Sequence, residues 1–393
     1  MEVIILAGGL GTRLRSVVSD LPKCMAPVEG KPFLRYLLEN LRRFDVSRVI
    51  LSVGYLKEAV QDWVRAHASD YPWEFCFAVE DHPLGTGGGI RLASSCAGEG
   101  EVIVLNGDTF FDADLDALHQ ARRRSGCPIA LALKQMRDFD RYGTVELGQD
   151  GIIRAFLEKQ YCREGLVNGG VYSIDLGSGI LDGHPEKFSF ETDVLEPCCR
   201  ESRLCGLVQD GWFIDIGVPQ DYARACEVPQ LLSHPSSLVD VIDSLEGYDT
   251  LLLDRDGVLN RLRTGDYVKS VDEFEWLPGA MPALASAARR FKGIYIITNQ
   301  RGVGRGVMSR EDLDGIHSWM MDRIAEAGGR VDGIYVCTAV SESDPYRKPQ
   351  RGMFDLLLQD HPDVDPGRCA MVGDSESDML FARNCGIAGY IVK

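Results

Sequence analysis

Two groups of residues in this chain of 393 residues could handle phosphate, and they lie far apart in the sequence. Near the start, a glycine-rich segment at residues 8–14 follows a short apolar run, and Lys23 comes soon after it. Glycines allow the backbone to approach a polyphosphate closely, while Arg13 and Lys23 could offset the charge that develops on a leaving pyrophosphate. A surface turn with incidental cations is the alternative interpretation of this segment taken alone.

The second group is a pair of carboxylates, Asp254 and Asp256, at the end of another apolar run. Residues i and i+2 of an extended segment point to the same side, so both carboxylates would face one phosphate. One could attack phosphorus, and the other could protonate the departing alkoxide and then activate water. Asp374 could complete a magnesium site with them. A calcium loop is the alternative, but the later acidic positions of an EF-hand loop are missing.

The glycine-rich segment matches neither of two common phosphate-binding motifs. A dinucleotide-binding fingerprint needs a third glycine where this chain has Leu14, and no Gly-Lys-Ser/Thr sequence follows to make a P-loop. The sequence therefore predicts a nucleotide-binding loop of another kind.

The elements that would position these groups predict an α/β protein with two doubly wound domains, because short apolar runs alternate with amphipathic stretches. The first half predicts a mostly parallel sheet, with strands at residues 3–7, 48–53, 75–79, 102–105, 129–134, 144–147, 170–174 and 212–214 and helices at 32–44 and 56–67. The second half predicts strands at residues 250–253, 293–298, 333–337 and 369–372 and helices at 281–290, 310–327 and 353–359. Ligand sites are expected at the carboxyl ends of the strands.

Domain boundaries follow from a proline- and serine-containing stretch before the pattern restarts at Thr250. We expect a first domain at residues 1–228, a linker at 229–248 and a second domain at 249–393.

The net charge of −17 disfavours a nucleic-acid partner. No apolar run is long enough for a membrane span, and no signal peptide is recognisable, so a cytoplasmic protein with reduced cysteines is expected. Self-association into a homo-oligomer stays open.

The first half resembles the sugar-phosphate nucleotidylyltransferases, and within them the heptose 1-phosphate guanylyltransferases. The motifs that carry the family resemblance occur in family order at residues 8–14, 22–23, 27–32, 84–88, 106–108, 158–159, 168–172 and 215–219. The resemblance to the heptose 1-phosphate guanylyltransferases in particular lies at residues 133–145 and 213–219. The resemblance implies a Rossmann-like nucleotidyltransferase fold. It also implies in-line attack of a sugar 1-phosphate on the α-phosphorus of GTP, with pyrophosphate leaving.

The same resemblance assigns roles to individual residues, with the loop at residues 85–88 expected near the base. Magnesium would be held by Asp108 and Asp215, although a turn or helix-capping role is the alternative for Asp108. Arg13 and Lys23 would be catalytic. The expected nucleotide contacts are Gly8, Gly9, Gly11, Thr12, Arg13, Lys23, Gly85, Thr86, Gly87 and Asp108. The expected contacts to the sugar phosphate are Gly143, Glu158, Lys159 and Asn168.

The second half resembles the haloacid dehalogenase superfamily, in its heptose bisphosphate and histidinol phosphatase branch. The motifs lie at residues 254–260, 296–306, 347–349 and 372–375, with Asp378 following. The resemblance implies a haloacid dehalogenase-like fold without a large cap. It makes Asp254 the nucleophile and Asp256 the acid and base, with Thr298 and Lys348 on the phosphoryl group. The implied magnesium ligands are Asp254, Asp374 and the main-chain carbonyl of Asp256, and the implied substrate contacts are Asn299, Arg305 and Arg347.

One departure from this branch concerns zinc. Relatives commonly carry a cysteine- and histidine-containing zinc loop before the Arg-Lys-Pro segment, whereas residues 336–346 contain Cys337 alone. We expect no zinc, and the loss of a loop that shapes the pocket leaves the exact substrate open.

Together the two halves predict a bifunctional enzyme of nucleotide-activated heptose synthesis, with GTP and heptose phosphates as its small-molecule partners. It would remove the C7 phosphate of D-glycero-D-manno-heptose 1,7-bisphosphate and then transfer GMP to the heptose 1-phosphate, using magnesium at both sites. A mannose or other hexose 1-phosphate guanylyltransferase fused to a phosphatase of different specificity is the alternative enzyme. A domain that has decayed into a regulatory module is the non-enzymatic alternative.

Overall fold

The computed structural model describes residues 1–9, 14, 17–18, 20–98, 100–233, 236–263 and 265–392, and it divides into two compact units at residues 1–233 and 234–393. The segment expected to be a linker contains structure that belongs to these units. A short 3-10 helix at Pro229–Leu232 contributes Leu232 to the core of the first unit. The helix Leu238–Ser244 contributes Leu238 and Ile242 to the core of the second.

The first unit is built on a large mixed sheet. Strands β6, β1, β4 and β5 are parallel neighbours, β11 runs antiparallel to β6, and β8 runs antiparallel to β11. The strands are β1 (Glu2–Leu6), β2 (Pro27–Val28), β3 (Lys31–Pro32), β4 (Arg48–Val53), β5 (Glu74–Val79), β6 (Glu101–Asn106), β7 (Thr109–Phe111), β8 (Ile129–Phe139), β9 (Thr144–Leu147), β10 (Ile153–Phe156), β11 (Cys162–Asp175), β12 (Leu204–Gln209) and β13 (Phe213–Asp215).

Helices cover both faces of this sheet, with one hydrophobic core on each side. They are α1 (Phe33–Leu41), α2 (Lys57–His67), α3 (Gly85–Ser94), α4 (Leu115–Ser125), α5 (Glu196–Arg200) and α6 (Pro219–Glu227), and a π-helical turn at Glu191–Leu195 precedes α5. The expected mostly parallel sheet is instead mixed, because β11 runs antiparallel to each of its neighbours and β9 and β10 are antiparallel, whereas β8 and β12 form a further parallel pair. Strand direction depends on how the connections run, and apolar periodicity carries no information about it.

The segment expected to be a loop at residues 85–88 is instead the first turn of α3. Glycines are poor helix formers, but here a side chain would collide with a neighbouring segment. A β-carbon at Gly85 would lie 2.5 Å from the carbonyl oxygen of Phe188, and one at Gly87 would lie 2.3 Å from the Phe188 ring. Close packing therefore selects glycine in this helix.

The second unit is a doubly wound domain on a parallel sheet of order β16-β15-β14-β17-β18. Its strands are β14 (Thr250–Leu253), β15 (Gly293–Asn299), β16 (Gly333–Cys337), β17 (Cys369–Gly373) and β18 (Ala388–Ile391). Its helices are α7 (Leu238–Ser244), α8 (Ala280–Arg290), α9 (Arg301–Gly304), α10 (Arg310–Glu326), α11 (Gly352–Asp360) and α12 (Glu376–Cys385). Among the described residues, none of the helices combines the length and apolar character needed to span a bilayer.

Candidate active sites

The first unit contains a cavity of about 500 Å³ at the carboxyl ends of its parallel strands. Leu6 ends β1, Asn106 ends β6, and the segments that follow both strands line the cavity. Gly107 permits this convergence, because a β-carbon there would lie 2.4 Å from the carbonyl oxygen of Leu6. The cavity therefore occupies the place where an open α/β sheet binds ligands.

Two carboxylates and one cation meet on the wall of this first cavity. Asp108 and Asp215 lie on neighbouring segments, since Asp215 pairs with Thr109 across β7 and β13. Lys23 Nζ lies 2.7 Å from Asp108 Oδ2. Burial and then the nearby charge of Asp108 raise the pKa of Asp215 to about 6. Two adjacent carboxylates that repel each other in this way favour a cation between them, and carboxylate oxygens suit magnesium.

The other predicted nucleotide contacts are placed as follows. Gly8, Gly9, Gly85 and Thr86 line the cavity, whereas Gly87 faces the ring of Phe188. Gly11, Thr12 and Arg13 lie outside the described residues.

A second cavity of about 600 Å³ brings together all four predicted sugar contacts. Gly143, Glu158, Lys159 and Asn168 share its lining with the apolar side chains of Phe156 and Leu157 and with further acids. Asn168 is held in place, since its Nδ2 donates to the Tyr172 hydroxyl at 3.0 Å and its Oδ1 accepts from the Gly170 amide at 3.0 Å. A wall with hydroxyl-binding acids and one lysine can bind a phosphorylated polyol.

Two acids of the first unit were missed by the sequence analysis. Glu80 lines the first cavity, where its Oε1 accepts from Ser52 Oγ at 3.0 Å and its Oε2 from the Leu84 amide at 3.1 Å. Glu191, in the π-helical turn, lines both cavities and accepts from Thr86 Oγ1 at 2.7 Å. Their positions depend on long-range packing, although a π-helical turn often marks a functional site.

In the second unit, a buried lysine joins two carboxylates at the carboxyl end of the sheet. Lys348 Nζ lies 2.9 Å from Asp254 Oδ1 and 2.5 Å from Asp378 Oδ1. Burial raises the pKa of Asp254 to about 7, with Asp378 and Asp256 adding to the rise and Lys348 opposing it. The two carboxylates in turn keep the lysine charged, because they raise its pKa against the effect of burial. This arrangement fixes the predicted nucleophile in one position.

Asp256 is held by a separate set of donors. Its oxygens accept from Arg255 Nη2 at 2.9 and 3.0 Å, from Gln300 Nε2 at 2.7 Å and from Asn260 Nδ2 at 2.9 Å. Burial would raise the pKa of Asp256, but the Arg255 charge and these hydrogen bonds outweigh it and lower the pKa. Arg255 is itself fully buried and donates to His317 Nε2 at 3.1 Å.

Oxygen atoms of Asp254, Asp374 and Asp378 lie within 4.8 Å of one another, so these residues could hold a metal ion. Burial, together with the charges of Asp378 and Asp254, raises the pKa of Asp374 well above its usual value. Gly257 permits the close approach, because its φ is +84° and a β-carbon there would lie 1.8 Å from Asp374 Oδ2. Clustered carboxylate oxygens are the ligands that magnesium prefers, so the residues fit that cation.

The remaining predicted contacts surround this cluster. Thr298 Oγ1 accepts from Gln300 Nε2 at 2.9 Å, and Asn299 exchanges two hydrogen bonds with the main chain of Lys348 at 3.0 and 3.1 Å. Arg347 precedes Lys348, and Arg305 is exposed at the end of α9. The structure thus brings Thr298, Asn299 and Lys348 to one place.

Comparisons with known proteins agree with the division into two units. The nucleotidyl transferase family model matches residues 2–228. The chain is 44% identical over 227 residues to D-glycero-alpha-D-manno-heptose 1-phosphate guanylyltransferase of Aneurinibacillus thermoaerophilus, covering 57% of this chain and 96% of that relative. The crystal structure of HddC from Yersinia pseudotuberculosis complexed with GMP-PN matches with a TM-score of 0.51 and 36% identity, over 57% of this chain and 98% of that one.

The second unit has its own relatives. The HAD-hydrolase-like family model matches residues 345–393. The chain is 43% identical over 139 residues to D-glycero-alpha-D-manno-heptose-1,7-bisphosphate 7-phosphatase of Mycobacterium bovis, covering 35% of this chain and 73% of that relative. The chain therefore belongs to the nucleotidyl transferase family through its first unit, and its second unit is a phosphatase unit of the haloacid dehalogenase type.

Proposed function

We propose that the protein is a bifunctional enzyme that prepares GDP-heptose from D-glycero-D-manno-heptose 1,7-bisphosphate. The second unit removes the phosphate at C7, and the first unit transfers GMP from GTP to the resulting heptose 1-phosphate. The observation that carries the proposal is the pairing of relatives, since the two units are 44% and 43% identical to enzymes named for a heptose 1-phosphate and for its 1,7-bisphosphate. Removing the 7-phosphate from the bisphosphate in one name gives the heptose 1-phosphate in the other.

In the transfer step, a phosphate oxygen of the heptose 1-phosphate attacks the α-phosphorus of GTP, and pyrophosphate leaves. Lys159 binds the sugar phosphate, while Glu158 and Asn168 bind sugar hydroxyls in the second cavity. Lys23 and the predicted Arg13 offset the charge on the leaving group. Asp108 and Asp215 would hold magnesium, which would supply further charge neutralisation when bound.

Selection of guanine is assigned to Glu80, which the structure places in the first cavity. Guanine presents adjacent N1–H and N2–H donors, and a carboxylate accepts two such hydrogen bonds side by side. Each Glu80 oxygen already accepts one hydrogen bond, which orients the carboxylate and leaves further lone pairs for a base.

The base assignment is tested with Glu80→Gln. We expect kcat/KM for GTP to fall by about 10- to 100-fold while the weak rate with ATP does not fall, because the amide offers one acceptor and one donor to guanine. Asp81→Asn, an exposed change one residue away, is the matched control. An equal loss for GTP and ATP would reject base selection by Glu80.

In the phosphatase step, Asp254 attacks the phosphorus at C7 and forms an aspartyl-phosphate, while Asp256 protonates the departing C7 oxygen. Asp256 acquires this proton in the substrate complex, where the negative charge of the bound phosphate raises its pKa from the lowered value of the free protein. Asp256 then takes a proton from water, which attacks the aspartyl-phosphate and releases inorganic phosphate. Thr298 and Lys348 bind the transferring phosphoryl oxygens. Asp254, Asp374 and the main-chain carbonyl of Asp256 would hold magnesium, which would offset the charge of the phosphoryl group when bound.

The decisive experiment incubates the protein with heptose 1,7-bisphosphate, GTP and magnesium and identifies the products by mass spectrometry. We expect phosphate, pyrophosphate and GDP-heptose. Parallel reactions use hexose 1-phosphates, hexose 1,6-bisphosphates and the other nucleoside triphosphates. A faster reaction with a hexose pair would replace the heptose assignment with the hexose alternative.

A further inference from the structure

A fully buried arginine connects helix α10 to the proposed acid of the phosphatase site. Arg255 stands between Asp254 and Asp256 and is 0% exposed. Its Nη2 atom donates to the two carboxylate oxygens of Asp256 at 3.0 and 2.9 Å and to Gln300 Oε1 at 3.0 Å. Its Nη1 atom donates to His317 Nε2, on α10, at 3.1 Å. The guanidinium group therefore joins three separate segments of the second unit.

His317 is suited to hold one end of this guanidinium group. Since an arginine can only donate hydrogen bonds, His317 Nε2 carries a lone pair and the imidazole proton lies on Nδ1. No other group in the described part of the chain accepts from Arg255 Nη1, and Arg255 Nε is buried without a partner. A buried donor that loses its acceptor is costly, so removing the imidazole would favour a rotated guanidinium group.

The orientation of the guanidinium group matters because it sets the direction of the Asp256 carboxylate. Besides Arg255, this carboxylate accepts from Asn260 Nδ2 at 2.9 Å and from Gln300 Nε2 at 2.7 Å, and Gln300 itself accepts from Arg255. Two of its three partners therefore depend on where the guanidinium group lies. An acid must lie within hydrogen-bond reach of the departing oxygen, and a displacement of about 1 Å can cost about 100-fold in rate.

We propose that His317 is a positioning residue of the phosphatase, which holds Arg255 so that Arg255 aims the Asp256 carboxylate at the departing oxygen of the substrate. This inference rests on the proposed phosphatase function and extends it from the site to α10. His317 is 62 residues from Arg255 in the sequence, so only the packing of α10 against the end of the sheet brings them together.

The test compares two substrates that differ in their need for an acid. The departing oxygen of a sugar phosphate needs a proton, whereas p-nitrophenolate is a stable anion that leaves without one. The value of kcat/KM covers the steps up to the aspartyl-phosphate, so it excludes the later attack of water. For His317→Leu we expect kcat/KM to fall by about 10- to 100-fold on heptose 1,7-bisphosphate, with KM unchanged, and by less than about threefold on p-nitrophenyl phosphate.

Two further variants separate positioning from a loss of stability. His317→Gln should restore the rate on the bisphosphate to within about threefold of wild type, because the amide oxygen can accept from Arg255 Nη1. Ile316→Ala is the matched control, since it removes a buried apolar side chain one residue away on α10 and no hydrogen bond. It should lower the stability in urea without separating the two substrates.

Three results would overturn the role of His317. They are an equal loss on both substrates in His317→Leu, no loss on either, and a loss in His317→Gln as large as that in His317→Leu. Asp256→Asn shows whether the proposed function fails instead, because it should lose far more rate on the bisphosphate than on p-nitrophenyl phosphate. Equal losses in Asp256→Asn would reject Asp256 as the acid, and a wild type that hydrolyses neither substrate would reject the phosphatase itself.

Discussion

The two candidate active sites handle charge in opposite ways. In the first unit, the side chains of Lys23 and Asp108 are 17% and 27% exposed and face an open cavity. In the second unit, the side chains of Lys348 and Asp378 are 1% and 0% exposed, and that of Asp254 is 12% exposed. Exposed charges cost little before a ligand arrives, whereas buried charges need permanent partners.

This difference matches what each reaction needs from the protein. A nucleoside triphosphate brings several negative charges, so the first site can leave its own charges to be completed by the substrate. A carboxylate that attacks phosphorus, the role proposed for Asp254, must already be in position, and the second site surrounds Asp254 and Asp256 with a lysine, an arginine and amide donors. The comparison predicts that the second site is the more sensitive of the two to single changes.

The largest effect is expected for Asp254→Asn. An amide cannot form the aspartyl-phosphate, so phosphate release should fall by at least about 10⁴-fold. Pyrophosphate release from GTP and supplied heptose 1-phosphate should stay within about twofold of wild type. Asp243→Asn, at a side chain 58% exposed, is the control. Loss of both activities in a folded protein would break the model of two independent sites.

Asp108→Asn and Asp215→Asn should impair GMP transfer and leave the phosphatase activity intact. Removing either acid should slow pyrophosphate release by about 10²- to 10³-fold, since a carboxylate next to the proposed magnesium is lost. Phosphate release from the bisphosphate should be unchanged. The exposed change Asp210→Asn provides the control in the same unit. A wild-type transfer rate in both variants would exclude Asp108 and Asp215 as residues that the transfer reaction needs.

A smaller effect is expected from Gly257→Ala, because the new methyl group would displace Asp374 from its position 1.8 Å from that β-carbon. We expect phosphatase activity to fall by about 100-fold and the second unit to lose about 1–3 kcal/mol of unfolding free energy. Gly265→Ala is the matched control, since its φ is +79° but nothing lies within 4 Å of its β-carbon. If Gly265→Ala lowered both the urea stability and the rate of phosphate release as much as Gly257→Ala, backbone strain alone would be responsible.

The last prediction concerns the pH dependence of stability, for which no loss of activity at neutral pH is expected. Burial and then the Arg255 charge lower the pKa of His317 to about 4, below the value of 6.5 expected in the unfolded chain. The unfolded state therefore binds a proton at His317 between pH 6.5 and 4 that the folded state does not, so this residue contributes a loss of up to about 3 kcal/mol as the pH falls through that range. Asp254 and Asp374 act in the opposite direction, because their pKa values are raised in the folded state. His317→Gln should remove the contribution of the histidine, measured as the difference in pH slope between variant and wild type by hydrogen exchange in α10. An unchanged slope would exclude His317 as its source.

Much of the second unit could be predicted from local sequence, because most of its strands are short apolar runs, and β14 and β17 lead directly into Asp254 and Asp374. The predicted strands at residues 250–253 and 333–337 have the observed bounds, whereas β18 was missed. β18, the last strand of the second unit, is only partly buried, so the apolar pattern of its sequence is weak. In the first unit, the glycines of α3 looked like a loop because their helical state depends on packing against Phe188.

The sequence alone determined the two phosphate-handling motif sets, their order along the chain and the α/β class of both units, because these depend on residue type and short-range spacing. Tertiary structure alone decided that Glu80 reaches the first cavity and that Asp378 shares Lys348 with Asp254. These placements join residues from separate segments of each unit. Only long-range packing sets such distances, and no local pattern of residues encodes them.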